Sequence, residues 1–402
     1  MKDLAMLKLR TIEGLDCSGK VVLLRVDLNV PVESGRITNA TRIDHAIPTI
    51  RYLTSMGAKL VLASHLGRPK GKAVKDMSLK VILPELERSF GKSIKFSNEC
   101  VGSSIEQSAA ALKNGDILLL ENLRFYKEEA DNSREFAQNL ARLAEIYVND
   151  AFSCSHRAHA SIVGVPQFIP AYAGKLMAME VDTLDGFSLS AGKGLERCTA
   201  IIGGKKISTK FKTLTALAAK VDNLIIGGAM ANNFLKALGH EVGNSYWEED
   251  MLDKTRHFLM AGHKAKLILP SDVVVLSSNE AIMRGVKDIG PTDMVYDLGH
   301  ITTERIRETI SASKLVLWNG PLGLFEDPRF DKATNAIARH VCEATKLGTI
   351  KSIVGGGDTV AALEHAEVDS NSLTYRSMAG GAFLEYLENS ELPGVALLRA
   401  RQ

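Results

Sequence analysis

The sequence has few cysteines, little excess charge and no long apolar run. Five cysteines in 402 residues are an odd number with no C-x-x-C pair, a usage that disfavours a disulfide framework or a structural zinc site. The formal net charge of +2 is too small to support non-specific nucleic-acid binding. No apolar run reaches the roughly 18 residues of a membrane-spanning helix, and Met1 to Lys20 contain no apolar signal core. We therefore expect a cytoplasmic protein with no nucleic-acid or membrane partner.

Two familiar nucleotide-binding signatures are also missing. Gly91-Lys92-Ser93 lacks the glycine five residues earlier that a P-loop needs, and no stretch fits G-x-G-x-x-G. A Walker-type NTPase and a Rossmann dehydrogenase are both disfavoured. Two functions remain open as alternatives: a dehydrogenase with two doubly wound domains, and a non-catalytic nucleotide or anion sensor.

Short apolar strands alternate with helical patterns along the whole chain, which predicts βαβ units and buried parallel sheets. The length suits two domains of about 200 residues each. Predicted strands cover Val21 to Val26, Leu60 to Ala63, Ile94 to Phe96, Ile117 to Leu120, Ile146 to Val148, Ala200 to Ile202, Leu224 to Ile226, Leu267 to Leu269, Val273 to Leu276, Leu315 to Trp318 and Ile350 to Val354. Helices are predicted over Arg42 to Met56, Leu79 to Ser89, Ser103 to Lys113 and Ser133 to Ala144, with a connecting helix over Ala173 to Ser190. The predicted fold class is α/β, with two Rossmann-like, doubly wound parallel-sheet domains, a joining helix and a cleft between the domains.

The stretch from Gly203 to Lys210 reads as a strand end, a glycine turn and a helix start. On a helix Lys206 and Lys210 would lie on one face, near the end whose free N–H groups attract anions. The alternative is a solvated basic helix end. The doublet Gly203-Gly204 favours an anion site, because glycine lets the backbone approach a ligand closely.

Arginines follow the predicted strands of the first half, where ligands of open α/β sheets bind. Arg68 and Arg124 follow strands, Arg157 lies beyond another, and Arg42 heads the first long helix. Each alone would be read as a surface ion-pair partner. Four at the same topological position favour a small anion that carries carboxylate and phosphate, because guanidinium binds both in a bidentate fork.

Other polar groups accompany these arginines. Asp27 and Asn29 alternate after the first strand and would bind a hydroxyl, although Asp27 is equally compatible with capping a turn and pairing with Arg25. We assign His65 to binding. His156 and His159 are interpreted as scaffold, since a histidine near arginines is more often uncharged than an acid–base catalyst.

Glycine and acid dominate the strand ends of the second half. Gly355-Gly356-Gly357-Asp358-Thr359 leads into a helix predicted from Val360 to His365, a pattern typical of a phosphate cradle with a carboxylate for Mg²⁺. An ordinary Asp N-cap is an equal alternative. Glu326 would hold a ribose or lie exposed.

Taken together, several motifs resemble phosphoglycerate kinase in order from about residue 20 to 386. They are Arg25-Val26-Asp27-Leu28-Asn29-Val30-Pro31, Ser64-His65-Leu66-Gly67-Arg68-Pro69, Glu121-Asn122-Leu123-Arg124-Phe125, His156-Arg157-Ala158-His159, Trp318-Asn319-Gly320-Pro321 and Gly355-Gly356-Gly357-Asp358-Thr359. The resemblance implies transfer of a phosphoryl group between 1,3-bisphosphoglycerate and ADP, giving 3-phosphoglycerate and ATP, with Mg²⁺. It also implies a monomer whose C-terminus returns to the first lobe. The domains would then be 1–172 with about 387–402, the connecting helix 173–190, and a nucleotide domain 191–386.

The resemblance carries roles over position by position. The acid substrate would contact Asp27, Asn29, Arg42, His65, Leu66, Gly67, Arg68, Arg124 and Arg157. The nucleotide would contact Gly203, Lys206, Lys210, Gly227, Asn319, Pro321, Glu326, Gly356, Gly357, Asp358 and Thr359, with Asp358 beside the metal. Arg42, Lys206, Lys210, Gly380 and Gly381 would act on the transferring phosphoryl group. Closure about the connecting segment and Ser377 would align donor and acceptor.

Three places depart from the family pattern. Ser377-Met378-Ala379-Gly380-Gly381 replaces a Thr-Gly-Gly-Gly run, so the hydroxyl at Met378 is lost while the glycine N–H groups remain. Tyr375-Arg376 replaces a histidine and an aliphatic residue, and Lys205 replaces a small residue. These changes bear on rate and hinge behaviour more than on reaction class.

Overall fold

The computed structural model describes residues 8–193 and 197–399. The chain divides into two compact units. Unit 1 comprises Met1–Asp182 and Glu391–Gln402, and unit 2 comprises Thr183–Ser390. The chain thus leaves the first unit, completes the second and returns.

Unit 1 contains a six-stranded parallel sheet. Its strands, with the small hairpin β2–β3, are β1 (Val21–Arg25), β2 (Val32–Glu33), β3 (Arg36–Ile37), β4 (Lys59–Ala63), β5 (Lys95–Phe96), β6 (Ile117–Leu119), β7 (Ile146–Asn149) and β8 (Ala171–Ala173). The sheet order is β5-β6-β4-β1-β7-β8, and every neighbouring pair is parallel. The carboxyl ends of β1, β4, β6 and β7 therefore meet at one edge of the sheet.

Helices connect these strands and bury their apolar faces against the sheet. They are α1 (Thr41–Ser55), α2 (Leu83–Phe90), α3 (Ser103–Ala110), α4 (Lys127–Ala130), α5 (Arg134–Ala141) and α6 (Lys175–Lys193). Local signals fix their ends: the Ser133 side chain caps α5 by accepting from the Phe136 N–H, and Gly91 ends α2 with φ 87°. The boundary between the units falls within α6.

Unit 2 contains a second six-stranded parallel sheet and a smaller antiparallel one. Its strands are β9 (Cys198–Ile202), β10 (Asn223–Ile226), β11 (Lys266–Ile268), β12 (Asp272–Ser277), β13 (Glu280–Gly285), β14 (Met294–Leu298), β15 (Leu315–Asn319), β16 (Lys351–Gly355) and β17 (Tyr375–Ser377). The parallel sheet has the order β11-β10-β9-β15-β16-β17. Its core includes the fully buried Trp318. Two parallel-sheet α/β domains were predicted, and the structure confirms this fold class.

The helices of unit 2 follow the same alternation. They are α7 (Phe211–Ala218), α8 (Ala231–Ala237), α9 (Leu252–Met260), α10 (His300–Ser311), α11 (Lys332–Lys346), α12 (Gly357–His365) and α13 (Gly381–Asn389). A last helix, α14 (Pro393–Ala396), belongs to unit 1.

One predicted strand lies in a different sheet from the one expected. Val273 to Leu276 was placed in the βα alternation, but β12 is the centre of the antiparallel sheet β13-β12-β14. Ser278 and Asn279 join β12 to β13 with φ values of 47° and 69°. Two positive φ values make the two-residue hairpin turn that joins antiparallel strands, and a buried valine run alone does not reveal that turn.

The connecting helix begins later than predicted. Ala173, expected at its start, is the last residue of β8, and α6 begins at Lys175. Ala173 is held in the sheet by pairing with Asn149 of β7, so the chain cannot turn into a helix until Gly174.

The last described residues pack within unit 1. The Arg10 N–H donates to the Leu398 carbonyl at 2.9 Å, and the Gly394 N–H donates to the Ser155 carbonyl at 2.9 Å. Within the described parts of the chain, no helix combines the length and the apolar character that crossing a membrane requires.

Candidate functional site

The first group of site residues lies at the carboxyl edge of the unit 1 sheet, beyond β1. Asp27 and Asn29 are half-buried and flank the fully buried Leu28. The Asn29 Oδ1 accepts from the Gly67 N–H at 2.7 Å, which ties the loop after β4 to the loop after β1. The Asp27 Oδ1 accepts from the Asn29 N–H at 3.1 Å. The prediction that Asp27 caps a turn is confirmed.

The ion-pair partner of Asp27 is Arg42. The Arg42 Nη1 lies 2.5 Å from the Asp27 Oδ2, and the Ser153 hydroxyl donates to the same oxygen. The suggested pairing with Arg25 is wrong, because the Arg25 guanidinium is buried and directed elsewhere, with Nε donating to the Ser161 Oγ at 3.0 Å. Arg42 is the second residue of α1 and has a side chain only 28% exposed, so its guanidinium is held at the sheet edge.

His65 is buried among arginines and uncharged. Its Nδ1 accepts from the Arg25 Nη2 at 3.2 Å. Burial holds the pKa of His65 well below its usual value, and the charges of Arg25, Arg124 and Arg42 lower it further. A histidine with this environment serves as a neutral hydrogen-bonding group rather than as a charged contact or a general base at neutral pH.

Arg124 is fixed by its own loop. The Asn122 Oδ1 accepts from the Arg124 N–H at 3.0 Å, and the Asn122 Nδ2 donates to the Leu66 carbonyl at 2.7 Å. The Arg124 Nη1 donates to the Gly67 carbonyl at 2.8 Å. Burial lowers the pKa of this guanidinium, and the neighbouring Arg25 and Arg157 act in the same direction. These hydrogen bonds join the loop after β4, which contains Leu66 and Gly67, to the loop after β6, which contains Arg124.

Arg157, His156 and His159 lie beside this group. The Arg157 Nε donates to the His156 Nε2 at 3.2 Å. Burial lowers the pKa of His159 to about 4, with further lowering by Arg124, Arg25 and Arg157, and burial likewise lowers the pKa of His156. Both histidines are thus neutral, which agrees with their interpretation as scaffold.

Of the four predicted arginines, three converge and one stands apart. The charges of Arg124 and Arg42 act on His65, and those of Arg124 and Arg157 act on His159. Arg68 is exposed, and its guanidinium makes no hydrogen bond or ion pair to any residue that the structure describes. Arg68 follows Gly67, whose backbone is held by Asn29 and Arg124. Its guanidinium is therefore placed at the exposed border of this group and can bind an anion there.

A buried acid that sequence reasoning missed lies beneath these cations. Glu129 is fully buried, accepts from the Ser161 N–H at 2.9 Å and from the Ser161 Oγ at 2.6 Å, and lies 3.7 Å from the His159 Nδ1. The Ser161 Oγ in turn accepts from Arg25. Nothing in the sequence Lys127-Glu128-Glu129-Ala130 distinguishes this glutamate from a surface residue.

Asp27, His65 and Cys154 bring ligand-type atoms within 4.8 Å of one another. Arginine already occupies two of these positions, since Arg42 binds the Asp27 carboxylate and Arg25 donates to the His65 Nδ1. The surrounding positive charge favours an anion over a metal cation here.

The second group of residues lies at the corresponding edge of the unit 2 sheet. The lysines of the Gly203 to Lys210 stretch were expected on a helix, but α7 begins at Phe211, with Lys210 at its N-cap. Residues 208–210 form a turn in which the Lys210 N–H donates to the Ile207 carbonyl at 3.0 Å. Lys206 and Lys210 therefore stand in the loop rather than one turn apart on a helix face.

The two lysines also differ in environment. The Lys210 Nζ donates to the Gly203 carbonyl and to the Asn319 Oδ1, each at 2.7 Å. Burial lowers the pKa of Lys210 to about 8, while the Asp358 carboxylate partly offsets this effect. Lys206 is exposed in the same loop.

Glycine is required where the loops of unit 2 touch. A Cβ on Gly203 would lie 2.1 Å from the Pro321 carbonyl oxygen, and one on Gly228 (φ 67°) would lie 2.5 Å from the Gly204 nitrogen. A Cβ on Gly227 would lie 2.4 Å from the Leu322 Cδ2. The loops after β9, β10 and β15 thus pack backbone against backbone.

Hydrogen bonds connect the loop after β15 to the start of α12. The Asn319 Nδ2 donates to the Gly355 carbonyl at 2.6 Å, and the Thr359 Oγ1 accepts from the Gly320 N–H at 2.7 Å. Helix α12 begins at Gly357, earlier than the predicted Val360, with Gly356 at φ 99° as its N-cap. Asp358 is exposed in the first turn. Free N–H groups and a carboxylate therefore lie side by side at this helix end.

A cavity of about 580 Å³ opens beside these loops. Its walls include the predicted Pro321, Glu326 and Asp358, together with Gly204 and Gly228. Glu326 is exposed within it. A concave space of this size, with a carboxylate and glycine-rich backbone in its wall, suits a nucleotide-sized ligand.

Gly380 and Gly381 lie where β17 leads into α13, whose first residue is Gly381. The Ser377 carbonyl accepts from the Gly356 N–H at 3.3 Å, so this loop adjoins the start of α12. The Ser377 Oγ accepts from the Ala379 N–H at 3.1 Å. The hydroxyl missing at Met378 is thus not needed to cap this turn.

Comparisons with known proteins agree over almost the whole chain. The family model described as phosphoglycerate kinase matches residues 12–390. The phosphoglycerate kinase of Granulibacter bethesdensis is 47% identical over 397 residues, covering 97% of this chain and 99% of that protein. The protein of the same name from Methylorubrum populi is 47% identical over 396 residues, covering 95% and 96%. The solved structure of phosphoglycerate kinase from Coxiella burnetii is similar with a TM-score of 0.87 and 36% identity, covering 97% of this chain and 99% of that one.

Proposed function

The chain belongs to the phosphoglycerate kinase family, and on that basis we propose that unit 1 binds 3-phosphoglycerate or 1,3-bisphosphoglycerate and that unit 2 binds ADP or ATP. The enzyme is a phosphotransferase of glycolysis that transfers a phosphoryl group between 1,3-bisphosphoglycerate and ADP, giving 3-phosphoglycerate and ATP. The dehydrogenase and sensor alternatives are set aside by this membership.

The acid substrate is assigned to the sheet edge of unit 1. Arg42, Arg124 and Arg157 surround neutral histidines, and Arg68 has an unengaged guanidinium at the rim. Guanidinium forks bind the carboxylate and phosphate groups of such a substrate. The Asp27 carboxylate would accept a hydrogen bond from its hydroxyl, and the Asn29 amide group would donate one to it. The supporting observation for the whole assignment is this gathering of cations around uncharged imidazoles.

The nucleotide is assigned to the cavity of unit 2. Glu326 would hold the ribose and Pro321 would line the base and sugar, with Gly203 and Gly227 packed against Pro321 and Leu322 of the cavity wall. The α12 start would bind phosphate through its N–H groups. Asn319 and Thr359 support that helix start through their hydrogen bonds to Gly355 and Gly320. The site is thus made chiefly of backbone.

Mg²⁺ is assigned to Asp358. Magnesium prefers one or two protein carboxylates together with phosphate oxygens and water, and Asp358 offers one exposed carboxylate in the cavity wall beside the phosphate-binding helix end. When bound, the ion supplies positive charge to the nucleotide phosphates. Replacement of Asp358 by asparagine should raise the Mg²⁺ concentration needed for ADP binding, which titration calorimetry measures.

Catalysis is assigned to charge stabilisation without a protein nucleophile. Negative charge spreads over the equatorial oxygens of a transferring phosphoryl group. The Arg42 guanidinium, the Lys206 and Lys210 ammonium groups, and the Gly380 and Gly381 N–H groups would neutralise it. Donor and acceptor must come into line, so we propose closure about the connecting segment and Ser377. Small-angle scattering should give a smaller radius of gyration with both substrates bound, and an unchanged radius would contradict closure.

The decisive experiment separates the two halves of the assignment. ATP formation from 1,3-bisphosphoglycerate and ADP should be observed for the wild type. Replacement of Arg124 by methionine should weaken 3-phosphoglycerate binding and leave ADP binding unchanged in titration calorimetry. An equal loss of both ligands would argue against separate sites.

We propose further that the enzyme works as a cytoplasmic monomer. The five cysteines, Cys17, Cys100, Cys154, Cys198 and Cys342, are all buried as thiols, a condition that suits a reducing compartment. Light scattering coupled to gel filtration should give a mass near 43.6 kDa. A mass of twice this value would contradict the monomer.

A further inference from the structure

An unassigned cation stands in the wall of the unit 2 cavity. Lys205 follows Gly204 in the loop between β9 and α7, and its side chain is exposed. In the described part of the chain no carboxylate lies within ion-pair distance of its ammonium group. Its nearest notable neighbour is aromatic: the Lys205 Nζ lies 4.9 Å from the centroid of the Tyr246 ring. Both residues line the cavity.

The backbone on both sides of this pair is held in place. The Gly204 N–H donates to the Pro321 carbonyl at 2.9 Å, and the Gly204 carbonyl accepts from the Met230 N–H at 3.1 Å. On the other side, the Tyr246 carbonyl accepts from the Asn232 Nδ2 at 3.0 Å. The position of the ring over the loop is therefore set by the fold.

A second clamp ties the same two segments together. The Glu248 carboxylate accepts from the Ser208 N–H at 2.9 Å and from the Ser208 Oγ at 2.6 Å. The Glu248 N–H and carbonyl are both bound by Asn233, at 3.0 Å and 2.7 Å. The lysine loop thus rests against the segment 246–248 at two points, one of which is the Lys205–Tyr246 contact.

We propose that Lys205 is a further nucleotide-binding residue, contributing a third cation for the phosphates of ADP and ATP, and that Tyr246 is its positioning residue. The inference rests on the proposed nucleotide site. An aromatic face attracts an ammonium group weakly and leaves its charge intact. A lysine held in this way keeps a defined direction but remains able to attract phosphate, whereas a carboxylate partner would neutralise it.

The test replaces charge and ring separately in the full-length enzyme. In Lys205→Met the side chain keeps most of its length and loses its charge. We expect the Kd for ADP to rise about fivefold, as for the loss of one partly exposed charge contact. The Kd for adenosine, which carries no phosphate, should be the same for both proteins. The slope of log Kd for ADP against log salt concentration should become shallower in the variant.

The positioning role of Tyr246 requires non-additivity. Tyr246→Leu should raise the Kd for ADP about threefold in the wild-type background and have no effect in the Lys205→Met background. Tyr246→Phe keeps the ring and should restore wild-type affinity. Equal effects of Tyr246→Leu in both backgrounds would show that the ring acts directly on the nucleotide and would overturn the positioning role.

The chain provides a matched control. Lys236 lies 6.0 Å from the centroid of the Trp247 ring, and neither residue lines the cavity. Lys236→Met should leave the Kd for ADP unchanged. An unchanged Kd in Lys205→Met, or an equal loss of ADP and adenosine, would overturn the proposal. Failure of the wild type to bind ADP would instead refute the nucleotide site itself.

Discussion

The candidate sites at the carboxyl edges of the two parallel sheets would both bind phosphate, but with different chemical groups. In unit 1 the anion site is built from side-chain charges, with Arg42, Arg124 and Arg157 around neutral imidazoles and a buried Glu129 beneath them. In unit 2 it is built largely from backbone, with glycines that permit close packing and the half-buried Lys210 beside the exposed Lys206. The comparison teaches that the unit 1 edge relies mainly on guanidinium side chains, whereas the unit 2 edge relies mainly on closely packed backbone with lysines beside it.

The largest expected effect comes from removing a guanidinium in unit 1. Arg42→Ala should lower kcat by ~10³ or more, by analogy with an arginine that stabilises transferring phosphate. Steady-state ATP formation measures it. Arg51→Ala provides the control on the same helix, because the Arg51 side chain donates to the Ser89 carbonyl away from the sheet edge. A loss of tenfold or less would mean that Arg42 only binds.

The matching change in unit 2 adds one carbon to a glycine. In Gly203→Ala the new Cβ would meet the Pro321 carbonyl oxygen, so the free energy of unfolding should fall by about 1–3 kcal/mol. Loss of ADP binding should accompany the fall. Gly186→Ala is the control: Gly186 is exposed in α6 with open space at its Cβ position, and the change should stabilise by about 0.5–1 kcal/mol.

Chemical denaturation of both variants measures these changes. If Gly203→Ala proved as stable as the wild type and bound ADP normally, close backbone packing would not define the unit 2 edge.

A third change sharpens the comparison through pH. The Lys210 pKa is about 8, because burial disfavours the charged form. ADP affinity should therefore fall by about tenfold between pH 7 and pH 9 as the ammonium group loses its proton. Lys210→Arg should flatten this decline, since guanidinium stays charged. A wild-type Kd that is constant over this range would show that Lys210 does not bind the nucleotide.

The same group predicts the opposite trend for stability. The folded pKa of about 8 lies below the ordinary value of 10.5. Between these values the native state holds fewer protons than the unfolded chain, so the contribution of Lys210 to the free energy of unfolding rises with pH. Below pH 8 that contribution is lost. Between pH 8 and pH 9, therefore, the affinity for ADP should fall while the free energy of unfolding rises.

The smallest expected effect is a difference in salt dependence. Raising the salt concentration screens exposed charges, and Arg68 and Arg42 are only partly shielded from solvent. The Kd for 3-phosphoglycerate should therefore rise about threefold more than the Kd for ADP between low and physiological salt. Titration calorimetry measures both. Equal slopes would remove the distinction between a charge-built and a backbone-built site.

Sequence alone predicted the edges of the sheets better than the details of the loops. Strand ends were found because parallel strands are short apolar runs, and Arg42, Arg124 and Arg157 lie near one another because those ends share an edge. The predicted placement of Lys210 on a helix face was wrong, because the side chain is held by hydrogen bonds to Gly203 and to Asn319, which is distant in sequence.

Other features had no sequence signal. Arg25 ends β1 beside buried leucines, yet its burial depends on Ser161, 136 positions away. The antiparallel sheet around β12 was not predicted, because a buried valine strand has the same sequence pattern in a parallel and in an antiparallel sheet. Such long-range pairings are settled by tertiary packing rather than by local pattern.

The return of the chain to unit 1 sets an order of events on the ribosome. The segment from Glu391 to Arg399 is synthesised after all of unit 2, yet it pairs with Arg10, near the beginning of the chain. Unit 1 therefore remains incomplete in the nascent chain until the whole of unit 2 has been synthesised. Premature termination after Ser390 would harm the domain that was made first.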